Sequence, residues 1–276
     1  MKQLVFILII ILSYLGNAQE CNYLGVDKKF ENGDTTYLFG DNVRLRSLPS
    51  SDSEIIATLK IGTPLQIVAL TDITETFNGI RSPWYKVRYN NETGYVLGGL
   101  ISMTKVEEEN VNCFVNLEQK ESIMYIVIRV VSTLKPNYIE HKSLFLGDNN
   151  GFCIKLYNNR GVEGIRNIIQ VNYLPESCGA NSGGYYLFYN DTELHKVIDL
   201  TSRGEIGYWE SENIYFPSDE LGEKNKIIYI KENGQDSEDR DSEFNWEKSS
   251  KMKIKLEWKN NSLTPNPKKI KREDLN

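Results

Sequence analysis

Trp84-Tyr85-Lys86-Val87-Arg88-Tyr89-Asn90-Asn91-Glu92-Thr93-Gly94-Tyr95-Val96-Leu97 is the stretch from which the fold is read. Residues 84–89 alternate aromatic and aliphatic side chains with basic ones, the period of a half-buried strand. Residues 90–94 carry turn chemistry and residues 95–97 lead out, so the stretch reads as a hairpin. Alternate strand residues face opposite ways, so one of Trp84 and Tyr85 is expected inward and the other outward.

Upstream, residues 37–46 read as an extended run ending in the turn-rich segment 47–52. Residues 55–59 form a short apolar strand closed by 60–64, and residues 65–70 another. Residues 71–83 are polar and read as a loop, longer than a small barrel requires and therefore a place for recognition. Five short strands bounded by turns predict a small β-barrel over residues 37–103, behind an extension at 19–36. Closure into a barrel removes the exposed sheet edges that endanger a small module.

These residues carry a resemblance. Residues 40–50, with Arg46 and Pro49, resemble the opening signature of bacterial SH3 (SH3b) domains, V-N-V-R-x-x-P-S. Residues 53–59, Gly62 and residues 65–68 are similar to the family's second and third strands. Trp84-Tyr85-Lys86-Val87 resembles its W-x-K-V, and Gly94-Tyr95-Val96 its G-W-V, with Tyr95 in place of the usual tryptophan. The resemblance implies a curled antiparallel barrel that binds envelope material, often peptidoglycan or its peptide stems, and often beside a catalytic domain. Aromatic side chains at strand ends offer flat contact area with polar tips. Trp84, Tyr85, Tyr89 and Tyr95, with Arg46, are therefore the ligand-binding candidates.

The segment Lys105-Val106-Glu107-Glu108-Glu109-Asn110 is charged and lacks an apolar period, and marks a boundary. Beyond it, residues 111–264 read as a larger antiparallel β domain, a sandwich or barrel of eight to ten strands, with no sustained helical period. Residues 143–146 and 152–157 flank Gly147-Asp148-Asn149-Asn150-Gly151 as a hairpin. Residues 185–189 and 194–200 form another around Asn190-Asp191, and the strand at 252–258 turns at Asn260-Asn261. Residues 234–243 read as an acidic insertion and residues 265–276 as a disordered tail, with Lys268, Lys269, Lys271 and Arg272 solvated. The chain is thus expected to be all-β: an SH3-like barrel followed by a β domain of no recognised family.

Met1-Lys2-Gln3, an apolar run from Leu4 to Leu12 and Gly16-Asn17-Ala18 have the form of a secretory signal peptide over residues 1–18. The run is shorter than the ~20 residues a bilayer span needs. The mature chain is therefore expected outside the cytoplasm: periplasmic, outer-surface or secreted, with no transmembrane segment. Removing residues 1–18, with their single lysine, takes the formal charge from −6 to −7. That balance argues against nucleic acid, whose phosphates call for clustered Lys and Arg.

Four cysteines, Cys21, Cys113, Cys153 and Cys178, are disulfide candidates in an exported chain, and three pairings are open. Their spacing and the scarcity of histidine, with only His141 and His195, fit no zinc motif. A nucleophile Cys178 with His195 as base lacks the helix that usually follows such a cysteine. The Gly-rich segment around Cys178 precedes a strand, which suits a turn better than a phosphate cradle. Asp236, Asp239 and Asp241 lack calcium-loop spacing. Paired carboxylates for glycoside cleavage remain open. No catalytic residue, metal or cofactor is expected. The reading is a non-catalytic binding protein of the bacterial envelope, taking cell-wall peptide, peptidoglycan or an envelope protein. The alternative is a cell-wall hydrolase with the barrel as its targeting arm.

Overall fold

The computed structural model describes residues 21–135, 137–147, 151–175, 177–235 and 248–270. The proposed signal peptide, residues 271–276 and the aspartates at 236, 239 and 241 lie outside them. The described chain is all-β, with two short 3₁₀ turns at Gly98–Leu100 and Pro267–Lys269.

After a two-residue strand, β1 (Leu24–Gly25), come β2 (Thr35–Tyr37), β3 (Val43–Arg46), β4 (Ile55–Leu59), β5 (Pro64–Phe77), β6 (Ile80–Tyr89) and β7 (Glu92–Leu97). The last six form one antiparallel sheet in the order β2-β5-β6-β7-β3-β4, curled around Leu38, Leu45, Leu65, Ile67, Tyr85, Val87 and Val96. The run expected at 37–46 is broken in two. Phe39 N and Gly40 N both donate to Leu100 O, and Asn42 takes a left-handed φ of 54°. A Cβ on Gly40 would lie 2.6 Å from the Val43 side chain, so the chain can bend this tightly only at glycine.

The expected loop at 71–83 is instead the distal part of the β5–β6 hairpin. Its turn is Asn78-Gly79 with φ of 50° and 77°, the positive pair that a two-residue hairpin turn requires. The flanking Thr and Ile residues suit an extended backbone, so β propensity prevails over polarity here.

The second half comprises β8 (Thr104–Glu108), β9 (Val111–Lys120), β10 (Ile123–Ser132), β11 (Tyr138–Leu144), β12 (Gly151–Tyr157), β13 (Asn167–Tyr173), β14 (Gly184–Tyr189), β15 (Leu194–Leu200), β16 (Ser202–Glu205), β17 (Tyr208–Tyr215), β18 (Ile227–Gln235), β19 (Lys248–Lys259) and β20 (Ser262–Thr264). The boundary segment at 105–110 is largely β8, an edge strand of the next sheet. Among the described residues these thirteen strands, twelve of them within 111–264 where eight to ten were expected, build three antiparallel sheets: β8–β11, β12–β15 extended by β1, and β16–β20.

The β12–β15 sheet is the middle layer. Tyr185, Leu187 and Tyr189 face the β8–β11 sheet, while Tyr186 and Phe188 face the β16–β20 sheet. A strand buried on both faces reads as an unbroken apolar run, which is what β14 is. The hairpin expected across 147–151 does not form. β11 pairs with β10, and β12 pairs with β13 and β1, so the two strands belong to different sheets. The hairpins at Asn190-Asp191 and Asn260-Asn261 do form.

Residues 265–270 are anchored rather than loose. Pro267 is buried, Ile270 packs on the second core, and Lys268 pairs with Glu212. Glu212 follows the inward parity of Ile214 and is only 5% exposed. Its oxygens also accept from Tyr229 Oη at 2.7 Å and Thr201 N at 2.8 Å. Burial pushes this carboxyl up, but the hydrogen bonds from Lys268, Tyr229 and Thr201 outweigh it and hold the pKa below its ordinary 4.5. Such a group contributes stability above its unfolded pKa and loses it as pH falls through the folded one. Lys268→Ala should therefore lower unfolding free energy by about 1–3 kcal/mol at pH 7, the cost of leaving a buried acceptor short of its donor. In urea titrations the gap from wild type should shrink as pH drops below 4.5; a constant gap would show that the ion pair is not its source.

Candidate functional site

The barrel is fused to the β8–β11 sheet rather than tethered to it. Phe39, Phe114 and Val127 are buried between them, with Tyr37, Ile61 and Val131 packed around. The Arg129 guanidinium lies 4.3 Å from the Phe39 ring centroid and 4.6 Å from that of Tyr138. Its Nη1 donates to Phe39 O at 2.7 Å and its Nε to Glu140 Oε2 at 2.8 Å. Asn116 Nδ2 donates to Gly99 O and Ile101 O, at 2.8 and 3.1 Å. Gln119 N donates to Asn78 O at 2.9 Å at the hairpin tip.

The five candidate residues separate into different roles. Tyr85 belongs to the barrel core and is 1% exposed; its hydroxyl accepts from Phe30 N at 3.3 Å. Burial raises the Tyr85 pKa, and the Phe30 bond opposes the rise. Trp84 points the other way, but it too is buried, at 4% exposure, so the expected inward–outward split gives no exposed ring. Three β5 residues, 71–73, stand opposite this single residue, and Thr71 Oγ1 donates to Trp84 O at 2.9 Å. Such a bulge sharpens local twist beside Trp84. Tyr89 packs against the barrel core. Arg46 is buried, and its Nη1 donates to Ser53 O at 2.5 Å, pinning the β3–β4 turn.

Tyr95 alone of the four aromatics is half-buried on the outer wall, since its neighbours Gly94 and Val96 are the buried positions of β7. It pairs with Lys86 on one side and Arg46 on the other. The same outward alternation carries Arg44 on β3 and Arg88 on β6, both exposed. Arg88 Nη1 donates to Gln66 Oε1 at 3.2 Å. Three adjacent strands thus present Arg44, Lys86 and Arg88 around Tyr95, with no acidic residue within β3 or β6. In a chain of net charge −6 this is a local reversal of sign. The basic wall was missed because it needs β3 beside β7, a long-range pairing.

Of the four cysteines, Cys21 and Cys153 are joined, with Cα atoms 5.7 Å apart. Cys113 and Cys178, also expected in a disulfide, are not. Cys113 lies in the core between two sheets, where burial raises its pKa, and Cys178 is exposed. His195 stands near the turn end of the β14–β15 hairpin, opposite Phe188, with its Nε2 2.9 Å from Glu193 Oε2. Cys178 precedes the opposite end, where Gly184 faces Leu200. At about 3.3 Å per strand residue, that separation is on the order of 15 Å, too far for a nucleophile–base pair. The other histidine, His141, lies 2.6 Å through Nε2 from Ser143 Oγ. Its pKa is lowered by burial and by Lys196, with Asp199 acting the other way.

A thiol reagent should find one reactive cysteine in the native protein and two after unfolding without reductant, since Cys178 is open and Cys113 enclosed. No reactive cysteine even after unfolding would mean that these two are oxidised, and reactivity gained only on unfolding would mean that Cys178 is enclosed. No curated protein and no solved structure matches the chain. The family of the bacterial SH3 domain matches residues 41–102, which take in β3 to β7 and the basic wall, and the remainder of the chain has no recognised family. The chain is therefore one that contains a bacterial SH3 domain, built into a larger all-β body.

Proposed function

We propose that this is an exported, non-catalytic binding protein of the bacterial cell envelope, whose barrel holds carboxylate-bearing cell-wall peptide on the basic wall around Tyr95. The family match supports a cell-wall binding module, and the disulfide suits an extracellular or envelope setting. The observation that carries the ligand class is the cluster of Arg44, Lys86 and Arg88 beside a half-buried tyrosine. Guanidinium and ammonium groups make charge-assisted hydrogen bonds to carboxylates, and a neighbouring aromatic ring adds desolvated contact at little entropic cost. The seam makes the reading one of a fixed platform rather than a targeting arm on a flexible linker.

Pelleting of the protein, produced without residues 1–18, with purified peptidoglycan tests this. Binding should weaken about tenfold or more in Arg44→Glu/Lys86→Glu, the scale of losing over 1.4 kcal/mol, and should fall with added salt. Equal binding by that variant would refute the assignment of the wall. Soluble wall fragments released by the wild type would refute the non-catalytic reading.

A further inference from the structure

The seam also encloses a cleft of about 200 Å³ that the barrel alone would not possess. The arm from β1 to β2, the tip of the β5–β6 hairpin, the Gly98–Leu100 turn and β9 supply its walls. The lining is mainly apolar, with Phe30, Phe77, Ile80 and Leu117 around Tyr85. Each of its neutral polar side chains already holds a partner. Asn116 Nδ2 serves two carbonyls, Ser82 Oγ accepts from Gly99 N, and the Tyr85 hydroxyl accepts from Phe30 N. The charges at its edge are one-sided: Lys28, Lys29 and Arg81 against Asp27. Lys28 Nζ, one of whose three protons goes to Met103 O at 2.8 Å, is the basic atom fixed by a hydrogen bond to the cleft's own lining.

We propose that this cleft binds a small carboxylic acid with a compact apolar body about the size of a phenyl ring. The body would lie among Phe30, Phe77 and Ile80, and the carboxylate would accept from the Lys28 ammonium. Apolar concavities with one or two placed polar groups are the usual form of small-molecule sites, and they favour domain junctions. Partial burial depresses the Lys28 pKa, with Asp34 opposing, so an anion there would compensate a charge held partly out of water. The outer wall around Tyr95 belongs to other residues of β3, β6 and β7, so this site and the peptide-binding wall can fail separately.

The test is a ¹⁵N amide titration of the protein lacking residues 1–18 with 3-phenylpropionate, its neutral analogue 3-phenylpropanol, and acetate. Saturable shifts should map to residues 26–30, 80–83 and 98–99, and the alcohol and acetate should each bind at least tenfold more weakly. Lys28→Met should weaken phenylpropionate about tenfold while leaving the alcohol unchanged. Ile80→Trp, which fills the cleft, should abolish binding of both, with a preserved amide spectrum elsewhere showing that the fold is intact. If Ile80→Trp does not fold, the Lys28→Met comparison decides alone. Shifts elsewhere, no saturation, or equal affinity for acid and alcohol would overturn the proposal. Peptidoglycan pelleting of Lys28→Met should match wild type, which separates this site from the wall.

Discussion

Arg129 holds the two halves of the molecule in register. Its guanidinium lies against Phe39 from the barrel and Tyr138 from β11, and it donates to the Phe39 carbonyl and to Glu140. A guanidinium between two rings keeps its planar charge while excluding water, a combination lysine does not offer. Phe114 completes the contact beneath it, and the ring sits 3.0 Å from where a Cβ on Gly62 would stand. The barrel, the hairpin tip and the β8–β11 sheet consequently form one continuous body. The cleft and the orientation of the basic wall both inherit their geometry from that seam.

The remaining layers follow from burial. Once the outer face of β8–β11 is covered by the barrel, its inner face must find another sheet, and β12–β15 supplies it. That middle sheet has apolar residues on both faces, so a third sheet is needed to cover the far side. Phe188 is fully buried and meets Phe216 and Trp258 at ring-centroid distances of 5.8 and 4.8 Å. Glu212 shows how a charge survives in this interior: each carboxylate oxygen has a donor, and the chain end supplies one of them.

Strand character was legible residue by residue, because alternation and turn chemistry are local. Val43, Leu45, Val87 and Val96 announce the barrel interior, and the unbroken run of β14 announces a buried strand. The hairpin turn at Asn78-Gly79 was equally local, yet it was outweighed by the polarity of residues 71–76. Sheet membership was not legible. Whether β11 returns to β10 or goes on to β12 depends on which face gains burial, and that is a property of the assembled layers. The anchoring of Lys268 depends on a glutamate 56 residues earlier, and the basic wall depends on β3 lying beside β7. Neither leaves a trace in spacing. The cysteines likewise gave candidates and not partners: only the fold brings Cys21 to Cys153 and encloses Cys113.

The bond between Cys21 and Cys153 spans 132 positions of sequence. Everything from the arm through the barrel and the β8–β11 sheet lies inside that covalent ring. A peptide bond cut by a protease anywhere between those two cysteines opens the ring without releasing a fragment. The barrel would stay attached to the rest of the body after such a nick, held by the noncovalent seam on one side and by sulfur on the other. That topology converts damage in an exposed turn into a break the molecule can carry.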